Sequence, residues 1–403
     1  MIGIEEATRI VFSRCRDWGN EFVPLPEALG RVLKEPLLAD RDFPPYTRVT
    51  MDGIAIDFRS YAAGQRNFPI QGLQAAGSPQ MELKNPEHCL EVMTGAVLPK
   101  GTDTVIPYEE VELRDGVAIV IPDSFKQGKN AHQQGLNRKQ GDLIVPFGKW
   151  ISAAELGVAA TVGKSRLKVA KLPAVCIITT GDELVEVDET PLPHQIRKSN
   201  AYSVQALLRA YGVESDLRHI YDEREEIRRV LSACLEQYDI LVLSGGVSKG
   251  KLDFIPGVLE ELGVEKLFHR VKQRPGKPFW FGESRKNNTV VFALPGNPVS
   301  SFMCTRRYLM PFLHKSLSGQ EAPPVYARLA ESFTFKPDLT YFLQVSLEST
   351  AEGVLLARPV PGKGSGDLAN LCDAEAFLEL PAGREQFVAG EHFRLWGFRP
   401  LKN

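Results

Sequence analysis

Four places in this chain of 403 residues carry side chains and glycines suited to chemistry on a charged ligand. They are Thr179-Thr180-Gly181-Asp182-Glu183, the single Asp222, the loop Ser244-Gly245-Gly246-Val247-Ser248-Lys249-Gly250 with Asp253 just beyond, and Pro295-Gly296-Asn297-Pro298. Gly245 and Gly246 let the backbone come close to a bulky ligand and can present N–H groups to phosphate. Ser244 and Ser248 add hydroxyl donors. Asp182, Glu183, Asp222 and Asp253 are carboxylates with no evident covalent chemistry; grouped beside a phosphate they suit Mg²⁺, which prefers oxygen ligands shared between protein and substrate. Helix capping explains Asp222 equally well, because Glu225 sits three residues on. A fifth stretch, Val271-Lys272-Gln273-Arg274-Pro275-Gly276-Lys277-Pro278, is basic and stiffened by two prolines. Lys272 and Lys277 are its candidates for holding a phosphate or another oxyanion. Neither a Walker loop nor a dinucleotide Gly-x-Gly-x-x-Gly fingerprint is present, and no Ser/His/Asp arrangement appears.

These groups need elements to hold them. Residues 174–179 form a short apolar run of the kind found in buried parallel strands. Ser199-Asn200-Ala201 reads as a helix start, with Val204, Leu207, Leu208 and Tyr211 as its apolar stripe and Gly212 as its stop. Strands follow over 213–220, 239–243 and 289–294, with helices over 253–262 and from 299 to about 313 and a capped helix start at Asp222 to Glu225. Such alternation predicts βαβ units around a parallel sheet. Ligands of such sheets bind outside the carboxyl ends of the strands, and all four candidate places fall there. The expected architecture is a central parallel-sheet α/β domain over residues 171–320. An elongated, mostly β N-terminal region in two pieces covers residues 1–170, and a small C-terminal β domain covers 321–403. Within the first region a helix is expected over 4–18 and strands over 117–121 and 142–145; within the last, strands over 342–347 and 354–357.

Composition narrows the function classes. The net charge of −2 gives no general attraction to nucleic acid or to an anionic membrane, so any anion site is local. The six cysteines are scattered without a Cys-x-x-Cys or Cys/His cluster, which argues against zinc. Cys176 reads as a buried small hydrophobe. No apolar stretch is long enough to span a bilayer, and the first residues are acidic, so the cytoplasm is the default location.

Taken in order, Thr180-Gly181-Asp182-Glu183-Leu184, the Ser244–Gly250 loop with Asp253, Pro275-Gly276-Lys277-Pro278 and Leu294-Pro295-Gly296-Asn297-Pro298 resemble the molybdopterin molybdenumtransferase family, which includes the C-terminal domain of gephyrin. The resemblance continues in Thr50-Met51-Asp52-Gly53-Ile54-Ala55, in Met93-Thr94-Gly95-Ala96, and in Gly364-Ser365-Gly366. It implies adenylylated molybdopterin and molybdate as substrates, Mg²⁺ as cofactor and AMP as a product. It also implies a homodimer whose active site is completed across the interface by Asp52. Asp52, Glu183, Asp253, Lys272 and Lys277 would take catalytic roles, with Asp182, Glu183, Asp222 and Asp253 as candidate metal ligands. Thr94, Gly95, Thr180, Gly181, Asp182, Ser244, Gly245, Gly246, Ser248, Pro275, Gly276, Pro295, Gly296, Asn297 and Ser365 would bind the ligand. The enzyme that adenylylates molybdopterin is a candidate partner. One family motif, Asn-Ile-Arg-x-x-Gly-Glu-Asp, is changed: its Arg, Glu and Asp positions hold His132, Leu136 and Asn137. Either a neutral hydrogen bond replaces an ion pair here or a carboxylate used in catalysis has gone. The alternative function is a divergent, non-catalytic molybdopterin-binding or scaffold protein.

Overall fold

The computed structural model describes residues 1–246 and 254–399. Its centre is a six-stranded sheet in the order Ser215–Ile220, Val175–Thr180, Ile240–Ser244, Thr289–Leu294, Trp280–Ser284, Glu265–His269. The first four strands are parallel, as their apolar runs predict. The last two join by antiparallel pairings: Trp280–Ser284 runs against both its neighbours and Glu265–His269 points with the first four, so the sheet is mixed rather than wholly parallel. The aromatic run around Trp280 supplies the first of this pair.

Burial on both faces explains the apolar strands. In Val175–Thr180, Val175 and Ile177 point into one core and Cys176 and Ile178 into the other, the two-residue alternation of a pleated strand. Helices Asn200–Arg209 and Pro298–Cys304 cover the first face; Arg224–Gln237 and Ile255–Glu261 cover the second. The helix from Pro298 continues to Ser318 through a π-helical turn at Thr305–Leu309.

The opening helix is Ile4–Phe12, shorter than the sequence suggests. Its buried residues Ile4, Ala7 and Val11 join the core of the central domain, not a core of the N-terminal region. Beyond it, Trp18 meets the edge of Phe312 with ring centroids 6.2 Å apart. The rest of the N-terminal region has two lobes with separate cores. One is the ribbon Asn20–Pro24 with Arg166–Ala170, packed on helix Ala153–Thr161. The other is a six-stranded sheet that includes Gly53–Ile56 and Cys89–Val92.

The C-terminal strands Thr340–Ser349, Leu355–Pro359, Val325–Leu329, His392–Gly397 and Ala376–Leu380 close on themselves, because the last pairs with the first. They enclose a core of their own. Several contacts tie this barrel to the central domain, among them Arg306 on the Gly397 carbonyl and Phe302 against Phe377. Gln273–Arg274 forms a short parallel ladder with Thr340–Tyr341. Arg307, on the π-helical turn, pairs with Glu379 at 3.1 Å and lies over Trp396, whose indole N–H donates to the same carboxylate at 2.6 Å.

Candidate active site

The carboxyl ends of the parallel strands converge as expected. Thr179, Thr180, Glu183, Ser244, Gly245 and Gly296 line a small cleft of about 90 Å³, together with Asn200 and Lys198. Gly245 and Gly246 have positive φ angles of 103° and 65°. A Cβ at Gly245 would lie 3.0 Å from the Thr180 carbonyl, and one at Gly246 would lie 2.6 Å from Ile255. The loop can turn here only without side chains. Thr180 is 5% exposed, and among the described residues its hydroxyl has no hydrogen-bond partner. A buried, unpaired hydroxyl facing a cleft is costly unless a ligand completes it.

Asp182 accepts a hydrogen bond from the Asp222 backbone N–H at 3.0 Å, so the structure brings these two together. Asp222 does not cap the next helix: Glu223 occupies that position, without a side-chain capping bond. Among the described residues no group of three or more His, Cys, Asp or Glu converges on one point. Asp253 and Ser248 lie outside the described residues. Glu183 lines the small cleft and Asp182 does not; a bound Mg²⁺ takes one or two carboxylates and fills its shell with phosphate oxygens and water.

A larger cleft of about 380 Å³ lies between the central domain and the barrel. Pro275, Gly276, Lys277, Pro295, Asn297 and Ser365 line it, so three segments read separately in the sequence meet in space. Asn297 donates from Nδ2 to Ser365 Oγ at 2.8 Å, and the Val299 N–H donates to the Ser365 carbonyl at 3.1 Å. The ridge Gly296–Pro298 separates the two clefts, with Gly296 and Pro298 on the small one and Asn297 on the large one.

The cations of the large cleft are Arg274, Lys277 and Lys363. Lys272 is not among the lining residues. Its backbone N–H instead donates to the Ile2 carbonyl at 2.8 Å, and its carbonyl accepts from Thr340 N–H at 3.1 Å. Among the described residues no ion pair joins Arg274, Lys277 or Lys363 to a carboxylate. The loop carrying Lys277 is braced from inside. The buried Gln273 side chain donates to the Gly276 carbonyl at 3.0 Å and accepts from the Tyr308 hydroxyl at 2.5 Å. Gly276 has φ 87°, and a Cβ there would meet Cys304 Sγ at 2.6 Å.

Asp52, Thr94 and Gly95 gather elsewhere, in the N-terminal lobe. Asp52 Oδ1 accepts from the Thr94 N–H at 2.6 Å and from its hydroxyl at 2.8 Å. These bonds hold the Asp52 carboxyl below the usual carboxylate range. Segment 130–137 lies alongside: Ala131–His132 pairs with Arg48–Val49, and the Thr50 N–H donates to the Asn130 carbonyl at 3.1 Å. Within one chain none of these residues lines either cleft.

Sequence reasoning missed Arg274, Lys363 and Asn200. Arg274 sits in the basic stretch it singled out. Lys363 immediately precedes the Gly-Ser-Gly segment. Asn200 was visible only as a helix-start residue.

The family models agree with this layout. The MoeA N-terminal region (domain I and II) matches residues 2–163, a domain described as "Probable molybdopterin binding domain" matches 176–315, and the MoeA C-terminal region (domain IV) matches 326–398. The molybdopterin molybdenumtransferase of Synechocystis sp. is 40% identical over 99% of this chain and 100% of that protein. The chain belongs to the molybdopterin molybdenumtransferase family. The Bacillus subtilis enzyme of the same name is 30% identical over 96% of this chain and 92% of that one. A solved structure, a molybdopterin biosynthesis MoeA protein from Pyrococcus horikoshii OT3, superposes with a TM-score of 0.83 at 25% identity, covering 99% of this chain and all of the other. As in the sequence reading, the architecture is multidomain with a central α/β domain. Among the described residues no helix is long and apolar enough to cross a membrane.

Proposed function

We propose that this protein inserts molybdenum from molybdate into adenylylated molybdopterin and releases AMP, as an enzyme of molybdenum-cofactor biosynthesis in the cytoplasm. The observation that carries this reading is the large cleft with three cations, Arg274, Lys277 and Lys363, none of them paired with a carboxylate among the described residues. Molybdate and the pyrophosphate link of the substrate are both anions, and cations already gathered beside a cleft stabilise the charge that develops on the leaving phosphate. Lys277 orients molybdate; Thr180 and Ser244 hold phosphate oxygens at the strand ends. Asp182 and Glu183 would hold Mg²⁺, which when bound neutralises phosphate charge. Asp52 acts on the cleft of a second copy, in a homodimer whose sites are each completed by the partner. The Thr94 hydrogen bonds that hold the Asp52 pKa down favour its ionised form in that role.

The test is molybdate-dependent AMP release from adenylylated molybdopterin, with and without EDTA. Release that requires both molybdate and Mg²⁺ supports the reading. Tight binding without release marks a binding protein instead, and release indifferent to EDTA removes the metal. The shared site is tested by mixing Asp52→Asn with Lys277→Ala, each nearly inactive alone. Random exchange in a dimer restores about a quarter of the wild-type rate if the site is shared, and nothing if it is not.

A further inference from the structure

We propose that Asn200 is a positioning residue for this reaction, setting the direction of the Ser244 hydroxyl and pinning the ridge that both clefts share. The proposal rests on the function given above.

Asn is a residue type favoured at helix starts because its side-chain oxygen can accept a backbone N–H there. Here Asn200 is the first residue of its helix, and neither it nor the preceding Ser199 caps with its side chain. The amide is used across the site instead. Its Nδ2 lies 2.7 Å from the Gly296 carbonyl and 2.9 Å from Ser244 Oγ. A carbonyl can only accept, so the atom facing Gly296 must be the nitrogen, and its two hydrogens serve the two partners. Ser244 is 3% exposed, and because an amide nitrogen can only donate, its oxygen is the acceptor toward Asn200. The Ser244 hydrogen must point elsewhere. Ser244 lines the small cleft, and a hydrogen directed there makes the hydroxyl a donor, the polarity an anionic group requires.

The second bond does a different job. Gly296 precedes Asn297, which reaches Ser365 of the C-terminal region across the large cleft. One amide thus joins the end of the strand Ile240–Ser244 to the ridge that borders both ligand spaces. A residue that only filled space would tolerate its isostere best. A positioning donor would not, because a carboxylate accepts the Ser244 hydrogen, turns it away from the cleft and repels the Gly296 carbonyl.

The experiment compares Asn200→Ala, Asn200→Asp and Ser244→Ala, with Asn200→Asp/Ser244→Ala as the closing corner. Binding of adenylylated molybdopterin and molybdate-dependent AMP release are measured separately, and the thermal midpoint reports folding. Loss of a neutral hydrogen bond predicts about tenfold weaker binding for Asn200→Ala. Asn200→Asp is expected to be weaker still, about a hundredfold, with KM rising more than kcat falls. In the Ser244→Ala background the Asp substitution costs markedly less, since its main target is gone. Equal affinity of the Asp variant and wild type overturns the proposal, as does full additivity of the double substitution. Wild-type protein that binds the substrate but releases no AMP overturns the reaction, while the affinity order still decides the role of Asn200.

Discussion

His132 Nε2 lies 3.2 Å from Asn137 Oδ1, at positions where the family pattern holds Arg and Asp. The amide oxygen accepts, so the imidazole donates from Nε2, and a hydrogen bond to an uncharged amide stands where the family pattern has an ion pair. The contact closes a segment already held by the Gly135 N–H on the Pro44 carbonyl at 3.0 Å and the Asn137 N–H on the Phe43 carbonyl at 2.8 Å. Leu136 between them is 66% exposed. We expect His132→Ala to lower AMP release by less than about tenfold, the worth of one exposed hydrogen bond. The joint swap His132→Arg/Asn137→Asp should keep the wild-type rate. A loss of about a hundredfold or more in His132→Ala would show that the pair takes part in the chemistry.

Lys277 is the cation whose role is tested most directly. Lys277→Ala should remove most turnover, about a hundredfold or more, with an unchanged thermal midpoint. Lys272→Ala, which leaves the backbone clamp between Ile2 and Thr340 in place, should cost far less. Comparable losses from both would refute the assignment of the cleft cations.

The Lys277 loop was legible in the sequence as a basic, proline-stiffened stretch, but the choice of its second cation was not. Gln273–Arg274 forms a strand pair with Thr340–Tyr341, and a strand sends neighbouring side chains to opposite sides. That places buried Gln273 inward and Arg274 outward on the cleft, whereas Lys272 precedes this two-residue ladder, its backbone held by Ile2 and Thr340, and does not line the cleft. Nothing local to the stretch reveals a partner strand near residue 340. The parallel strands were readable because both their faces are buried, which makes them continuous apolar runs. Strand Glu265–His269 was not, because only Phe268 in it is fully buried. Helix Ala153–Thr161 was also missed, although Ser152 and Glu155 form a reciprocal capping box. Lys363 and Asn200 belong to the site only through tertiary contacts, which spacing along the chain does not encode.

Gly276→Ala tests the brace beneath Lys277. The added methyl would meet Cys304 Sγ at 2.6 Å and Gln273 Nε2 at 2.9 Å, at a backbone angle of φ 87°. Overpacking and left-handed strain together should destabilise the fold by about 3 kcal/mol, read by denaturant unfolding. Midpoints equal to wild type would mean that the loop relaxes freely.

Stability should fall on mild acidification. Burial holds the His219 and His314 imidazoles below the ordinary histidine range, helped by Lys198 at the first and Arg306 at the second. The unfolded chain then takes up protons that the folded chain resists, so falling pH favours unfolding once it passes about 6.5, the unfolded histidine value. The thermal midpoint should drop between pH 8 and pH 5.5. His314, stacked on Trp150 with centroids 5.2 Å apart, can be replaced by Phe to reduce that drop. An unchanged pH profile in His314→Phe would exclude it as a source.

Arg307 is 4% exposed, and among the described residues its removal leaves the Glu379 carboxylate with the Trp396 N–H as its remaining side-chain hydrogen-bond donor. Arg307→Met should therefore cost about 3–5 kcal/mol, as breaking one side of a buried pair does. A cost near zero would show that the pair is dispensable. The same lock, with the ladder of Gln273–Arg274 on Thr340–Tyr341, fastens the two walls of the large cleft at separate points. Such a cleft works as a gauge, not a jaw. Its width is set when the chain folds, and a ligand of different size would be accommodated by changing residues of the walls, not by parting them.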